Sequence, residues 1–285
     1  MDIASARQWA VETLKDFKHP HIEADVLLCS VLDCDRVWLR THTERSLRGE
    51  QESEFKKYIQ ERADRRPVAY ILGYKDWGGM RLIVNESVLV PRDETETLCS
   101  YIGESLKMNV KGKKDGSIFV LDIGTGSGAI ACYLARSVKF KREESEYVIL
   151  GVDISKSALA VAHKNASDLE LDIEFKESDL LSAIEPGSFF DVVVANLPYV
   201  PEEFVVEKDL SYEPGLALYS GSDGLNHYQR LYKQLNKKSI QFKELWIEFL
   251  PQQKDAIMEM FKGFEVEFLA DVGGGVFFAK ITAAS

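Results

Sequence analysis

Apolar residues in the first 65 positions recur at helical spacing. They fall at Ile3, Trp9-Ala10, Leu14 and Phe17, then at Ala24, Leu27-Leu28 and Val31-Leu32, then at Phe55, Tyr58 and Ile59. No strand-like alternation interrupts them, and turn signals sit at His19-Pro20 and Gly49, so a small helical bundle is expected over residues 1–66. The pattern then changes. Val68-Ala69-Tyr70-Ile71-Leu72, Trp77-Gly78-Gly79, Met80–Val84 and Val88-Leu89-Val90 are short apolar runs around a Gly-rich turn, which predicts a β-hairpin linking two domains over 67–90. Pro91 ends the extended segment, and Glu94-Thr95-Glu96 opens a helix with acids in its first turn.

From residue 118 strand and helix patterns alternate. Ile118–Leu121 precedes a glycine loop and a helix over Ala129–Val138, and Tyr147–Val152 precedes a helix over Ser157–Leu169. Strands follow at Ile173–Phe175, Asp191–Ala195, Leu245–Leu250, Phe264–Leu269 and Val276–Ile281, the last two close enough for a hairpin. Such alternation means an α/β domain over 91–285: a mostly parallel seven-stranded sheet with helices on both faces, closed by a hairpin that adds one antiparallel strand. The charged stretches Lys111–Asp115 and Lys139–Glu146 read as solvated loops.

Composition narrows the classes. No run of 18 or more apolar residues occurs, so no membrane span is expected, and the opening Met1–Ser5 carries no targeting pattern, so the expected address is cytoplasmic. Cys29, Cys34, Cys99 and Cys132 lack paired Cys-x-x-Cys spacing and the five histidines are scattered, which points to reduced thiols and no metal site. Residues 1–74 carry 12 basic and 13 acidic side chains, whereas the other 211 carry 23 and 33. That acidic large domain gains little from counterion release, so a protein or small-molecule partner is favoured over direct nucleic-acid binding.

The candidate chemistry begins at Asp122-Ile123-Gly124-Thr125-Gly126-Ser127-Gly128, which follows a strand and opens a helix. Glycines let the backbone approach a ligand where α/β sheets bind cofactors, and Asp122 suits a cationic ligand. With Ala129 as a third small position, the same residues satisfy a dinucleotide fingerprint. Asp153 ends the next strand, where an acid accepts hydrogen bonds from both ribose hydroxyls of an adenosyl cofactor. Asp179 follows a third strand, placed for an adenine amino group. A glycine loop, an acid and a second acid, each closing a strand, match methyltransferases better than dehydrogenases. Asn196-Leu197-Pro198-Tyr199 then closes the fourth strand. An amide nitrogen is a poor nucleophile because its lone pair is delocalised. The Asn196 oxygen and the Leu197 carbonyl form an acceptor pair for its two N–H bonds, and Tyr199 can stack on its plane.

These motifs resemble the HemK family, N5-glutamine methyltransferases that modify peptide chain release factors. The family carries Asn-Pro-Pro-Tyr where this chain has Asn196–Tyr199, and its Pro-Val-Ala-Tyr-Ile-Leu-Gly stretch stands unchanged at Pro67–Gly73. Val88–Glu96, Tyr212-Glu213-Pro214 through Leu218, and Gly221-x-Asp223-Gly224 resemble further family segments, so the likeness runs to about residue 253. The resemblance implies a Rossmann-like class I methyltransferase domain using S-adenosyl-L-methionine and releasing S-adenosyl-L-homocysteine. Gly124–Gly128 would hold the methionine part, Asp153 with Ile154 the ribose, and Asp179 with Leu180 the adenine side. Arg92 would lie near the pocket, Asn196 would also border the cofactor, and Asn196, Leu197, Pro198 and Tyr199 would hold the acceptor glutamine. The implied partners are release factors, met by the helical bundle, with the enzyme a monomer. The chain departs from the family at Leu197, and it lacks an arginine that family members often carry near Asp271–Val276. Competing readings are an adenine-N6 or other nucleic-acid amino methyltransferase, a nicotinamide-dependent oxidoreductase, and an adenosylmethionine-binding partner protein without activity.

Overall fold

The computed structural model describes residues 1–110, 117–139, 147–204, 208–271, 273 and 277–283. The stretches expected as solvated loops, Lys111–Asp115 and Lys139–Glu146, lie outside the described residues, except that Lys139 closes a helix, and so does most of Val272–Val276. The chain divides into two units, the first made of Met1–Tyr74 with the 3-10 turn Lys208–Tyr212, the second beginning at Lys75.

The first unit is helical: α1 (Ile3–Thr13), α2 (Pro20–Leu32), α3 (Arg36–Thr41), α4 (Gly49–Ala63) and α5 (Val68–Leu72). Asp2 and Asp35 cap α1 and α3 by accepting the Ser5 and Trp38 amides at 2.7 Å, and Pro20 sits at the start of α2, where its missing N–H costs nothing. Ile3, Leu14, Leu27, Leu28, Leu39, Phe55 and Ile59 are fully buried and form the core. Two ion pairs tie the helices: Arg7 with Asp25 and Arg62 with Glu23, each at 2.6 Å. Inside this unit the Tyr212 hydroxyl donates to the Asp64 carbonyl at 3.0 Å.

The apolar run Val68–Leu72, expected as a strand, is helix α5. Pro67 stands before its first turn and Gly73 after its last with φ +77°, and those are helix start and stop signals. The hairpin lies later, as β1 (Tyr74–Trp77) and β2 (Met80–Ile83) around Gly78-Gly79, while Val88–Val90 stays outside regular structure.

The second unit holds α6 (Asp93–Val110), β3 (Ile118–Ile123), α7 (Ala129–Lys139), β4 (Tyr147–Asp153), α8 (Lys156–Asp168), β5 (Glu174–Glu177) and β6 (Phe189–Ala195). It continues with α9 (Asn226–Lys238), β7 (Gln241–Phe249), α10 (Lys254–Met260), β8 (Phe264–Ala270) and β9 (Phe277–Ala283). Seven strands form one sheet in the order β5-β4-β3-β6-β7-β9-β8. All neighbours run parallel except β9, which is antiparallel to both β7 and β8. The expected single antiparallel strand is therefore β9.

Successive residues of the central strands face opposite cores, as the two-residue period of a strand demands. Val120, Val192, Val194 and Trp246 pack with α6 and α7, while Leu121, Ile123, Val193, Leu245 and Ile247 pack with α9 and α10. Such strands, covered on both faces, leave the carboxyl ends of β3, β4, β5 and β6 as the place where a ligand can reach the sheet. Among the described residues no helix is long and apolar enough to cross a membrane.

Candidate active site

β3 ends at Ile123, and the chain turns sharply through Gly124, Gly126 and Gly128, with φ of +73°, +54° and +77°. The Gly124 and Thr125 amides donate to the Val152 carbonyl at 2.8 and 2.9 Å, which fastens the loop to the end of β4. A side chain at Gly128 would be strained by the positive φ and crowded, its Cβ 3.1 Å from the Ala162 Cβ on α8. The Asn165 side chain, also on α8, donates to the Ser127 carbonyl at 2.8 Å and exchanges two hydrogen bonds with the Ile83 backbone at 2.7 and 3.0 Å. One buried amide thus pins the glycine loop and the hairpin together.

Asp122 is 1% exposed beneath this loop. Burial pushes its carboxyl up to about 7, against the Thr125 hydroxyl that donates to Oδ2 at 2.7 Å. Its Oδ1 has no hydrogen-bond partner among the described residues. A buried, under-satisfied carboxyl gains from a nearby positive charge, so the loop fits a cationic ligand. Asp153 ends β4 with both oxygens used: Oδ2 accepts the Gly126 amide at 2.9 Å and Oδ1 the Ser155 amide at 2.8 Å. Burial raises its pKa, and those amides oppose the rise. Each oxygen keeps a second lone pair for a hydroxyl donor. Ile154 beside it is 56% exposed, an apolar surface next to a polar one. Asp179 follows β5 and pairs with Arg230 of α9 at 2.5 Å, and Leu180 after it is buried with φ +54°. Arg92 pairs with the buried Glu213 at 2.7 Å, and its carbonyl accepts the Trp77 indole N–H at 2.7 Å.

Asn196 follows directly on β6, one strand from the glycine loop, because Ala195 pairs with Ile123 in the parallel register. Its Nδ2 donates to the Thr95 hydroxyl and to Glu248 Oε2, both at 3.1 Å. Thr95 donates to the same Oε2 at 2.9 Å, and the Tyr199 hydroxyl donates to Oε1 at 2.9 Å. Asn196 Oδ1 is left without a partner among the described residues. The Tyr199 carbonyl is held by Gln253 Nε2 at 2.9 Å. Leu197 is 3% exposed and its Cδ2 lies where a Cβ on Gly124 would come within 2.9 Å, so the two loops touch through hydrocarbon. The structure brings the glycine loop, Asp153 and Asn196–Tyr199 together at the carboxyl ends of the neighbouring strands β3, β4 and β6.

Residues 5–73 match the family model described as the PrmC N-terminal domain, and residues 120–207 match a methyltransferase domain. Proteins called release factor glutamine methyltransferase are similar over most of the chain. That of Bacillus anthracis is 33% identical over 284 residues, 96% of each chain, and that of Bacillus subtilis is 34% identical over 283 residues, 95% of this chain and 94% of its own. A relative from Koribacter versatilis is 39% identical over 223 residues, covering 77% and 75%. The chain belongs to the release factor glutamine methyltransferase family. Its sheet is also similar to the hMettl16 catalytic domain, solved with an RNA hairpin, at a TM-score of 0.53 and 13% identity over 83% of this chain and 82% of that one. This last likeness concerns the fold alone, that of class I methyltransferases.

Within a release factor glutamine methyltransferase, Leu197 in place of a proline acquires a physical account. A proline fixes φ but has no N–H to give. Here the Leu197 amide donates to the Tyr228 hydroxyl at 3.3 Å and its side chain is buried, so packing and a hydrogen bond supply the restraint that a ring would. Glu248, Asn165 and Gln253 also belong to this arrangement but no motif marks them, and Thr95 reads in the sequence only as part of a helix start. One signal for Glu248 was available: an acid inside the otherwise apolar run Leu245-Trp246-Ile247-Glu248-Phe249 is rare unless it is paired or functional.

Proposed function

We propose that this chain transfers a methyl group from S-adenosyl-L-methionine to the side-chain N5 of the glutamine in the Gly-Gly-Gln motif of peptide chain release factors, leaving S-adenosyl-L-homocysteine. One observation carries this reading: Asn196, one strand from the glycine loop, commits its amide nitrogen to Thr95 and Glu248 and leaves its oxygen without a partner among the described residues. When bound, S-adenosyl-L-methionine supplies an electrophilic methyl group on a cationic sulfur. Gly124–Gly128 and Asp122 fit its methionine end, Asp153 with Ile154 its ribose, and Asp179 with Leu180 its adenine, with Arg92 close by. Asn196 Oδ1 and the Leu197 carbonyl each accept one N–H of the glutamine amide. That fixes the amide plane, leaves more electron density on the nitrogen and turns the face that carries its lone pair toward the donor. Pro198 and Tyr199 shape the face against which the planar amide stacks. No side chain acts as general base, because the methylated amide is acidic enough to lose its proton to water. The helical unit meets the release factor, the enzyme works as a monomer in the cytoplasm, and the acidic second unit needs no direct nucleic-acid contact.

Asp153→Ala is expected to weaken cofactor binding by about 1.5–3 kcal/mol, the loss of a charged hydrogen-bond partner, in a calorimetric titration. Unchanged affinity removes Asp153 from the ribose site. The reading as a whole is tested with methyl-labelled S-adenosyl-L-methionine and purified release factors, with and without substitution of the Gly-Gly-Gln glutamine. Labelling that disappears with the glutamine supports it. Labelling that persists, or that goes instead to RNA or DNA, overturns it in favour of another acceptor.

A further inference from the structure

We propose that Glu248 is a positioning residue whose ionised carboxylate fixes which end of the Asn196 amide faces the substrate and holds Tyr199 beside it. The inference rests on the acceptor site proposed above and deepens it.

An asparagine amide is nearly symmetric in shape, so only its partners decide whether oxygen or nitrogen points outward. Here three donors converge on one carboxylate: Thr95 and Asn196 on Oε2, Tyr199 on Oε1. An ionised carboxylate only accepts, so it takes the NH2 end of Asn196 and leaves the oxygen outward. Thr95 alone does not choose, because a hydroxyl both donates and accepts. An outward NH2 would confront the NH2 of the glutamine donor to donor, and transfer would stop.

Glu248 is 1% exposed, and among the described residues no cation pairs with it. The titratable groups facing it are the Glu94 and Cys99 side chains on α6, the Tyr199 phenol and the Tyr228 phenol on α9, whose hydroxyl donates to the Glu248 carbonyl at 2.5 Å. Burial raises its pKa to about 7, against the three donors. A buried carboxylate without a counter-charge is costly, and a fold that needed only packing at this point would be served by an apolar side chain. The three donors explain its presence, and two of them belong to the acceptor loop.

The test is a charge exchange. Asn196→Asp alone sets two carboxylates against each other and is expected to lose transfer at least ~100-fold. In Asn196→Asp/Glu248→Gln the new amide donates to the new carboxylate, whose second oxygen faces the substrate. The double variant is expected to be at least ~10-fold more active than Asn196→Asp, a pairwise coupling that an unrelated packing role would not produce. Glu248→Gln alone is expected to lower kcat while cofactor affinity and thermal unfolding hold, and to flatten the rise of kcat as pH increases through about 7. A double variant no better than Asn196→Asp, or Glu248→Gln with wild-type kcat and an unaltered pH profile, overturns the proposal. Wild-type transfer in the same assay reports on the proposed function separately. A readout independent of activity is the Asn196 side-chain NH2 resonance in protein labelled with 15N-asparagine. It is expected to shift with pH in the wild type and to stay put in Glu248→Gln, and a wild-type resonance that ignores pH also overturns the proposal.

Discussion

Gly224→Ala is expected to reduce methyl transfer by about 100-fold or more while cofactor affinity stays near that of the wild type. Gly224 holds φ +76°, where an L side chain is strained, and a Cβ there would stand 2.1 Å from the Tyr199 carbonyl oxygen. The obstacle is backbone, so no rotamer change relieves it. The same Cβ would meet Gln253 Nε2 at 2.5 Å, the group that holds the Tyr199 carbonyl and the Asp223 carbonyl, each at 2.9 Å. Either the acceptor loop or its clamp must move, and a displacement of about 1 Å is enough to cost two orders of magnitude in rate. The glycine loop is fastened elsewhere, to Val152 and Asn165, which is why cofactor binding is spared. Single-turnover kinetics with a release factor, beside a cofactor titration, separates the two effects. A variant with wild-type transfer would show that Tyr199 is not positioned by this contact.

Asn196→Ala carries the second large effect, a loss of about 100- to 1,000-fold in kcat, the range for removing one preorganised polar contact to a reacting group. The change also strips one of three donors from the buried Glu248 carboxylate, so stability is expected to fall by about 1–3 kcal/mol. Asn196 lies one strand from the donor loop, so cofactor affinity is expected to hold. Loss of cofactor binding with transfer chemistry intact at saturation would assign Asn196 to the donor site instead. Chemical denaturation alongside the kinetics shows whether the protein is folded at assay temperature.

What could be read in the chain beforehand was what is local. The glycine loop, Asp153 and Asn196–Tyr199 each follow a strand within a few residues, so strand pattern and motif coincide in the sequence, and every sheet strand but β5 holds a run of apolar residues, β5 showing only Ile173 and Phe175 on either side of Glu174. Val68–Leu72 misled because five apolar residues fit a helix turn as well as a strand, and the deciding signals, Pro67 and Gly73, lie outside the run. Helix α9 is absent from the expected elements although its sequence carries it: Tyr228, Leu231, Tyr232 and Leu235 stand at the i, i+3, i+4, i+7 spacing of an amphipathic helix. The partners of the acceptor loop were illegible for a different reason. Thr95 lies 101 residues before Asn196 and Glu248 lies 52 after it, and only the sheet order brings α6, β6 and β7 together. Asp179 was legible as an acid after a strand but its ion pair with Arg230, 51 residues away, was not.

The place of β9 in the sheet sets an order of events during synthesis. β9 follows β8 in the chain yet slots between β8 and β7, with Phe278 opposite Glu248. When residues up to 270 have left the ribosome, β8 has no strand to pair with and one edge of β7 is bare, so the carboxylate that organises the acceptor loop stands on an unfinished strand. Completion of the site is then a late, non-local step of the kind that slows folding. The proposed acceptor site is thus complete only after residues 277–283 have left the ribosome, last of all the strands of the sheet.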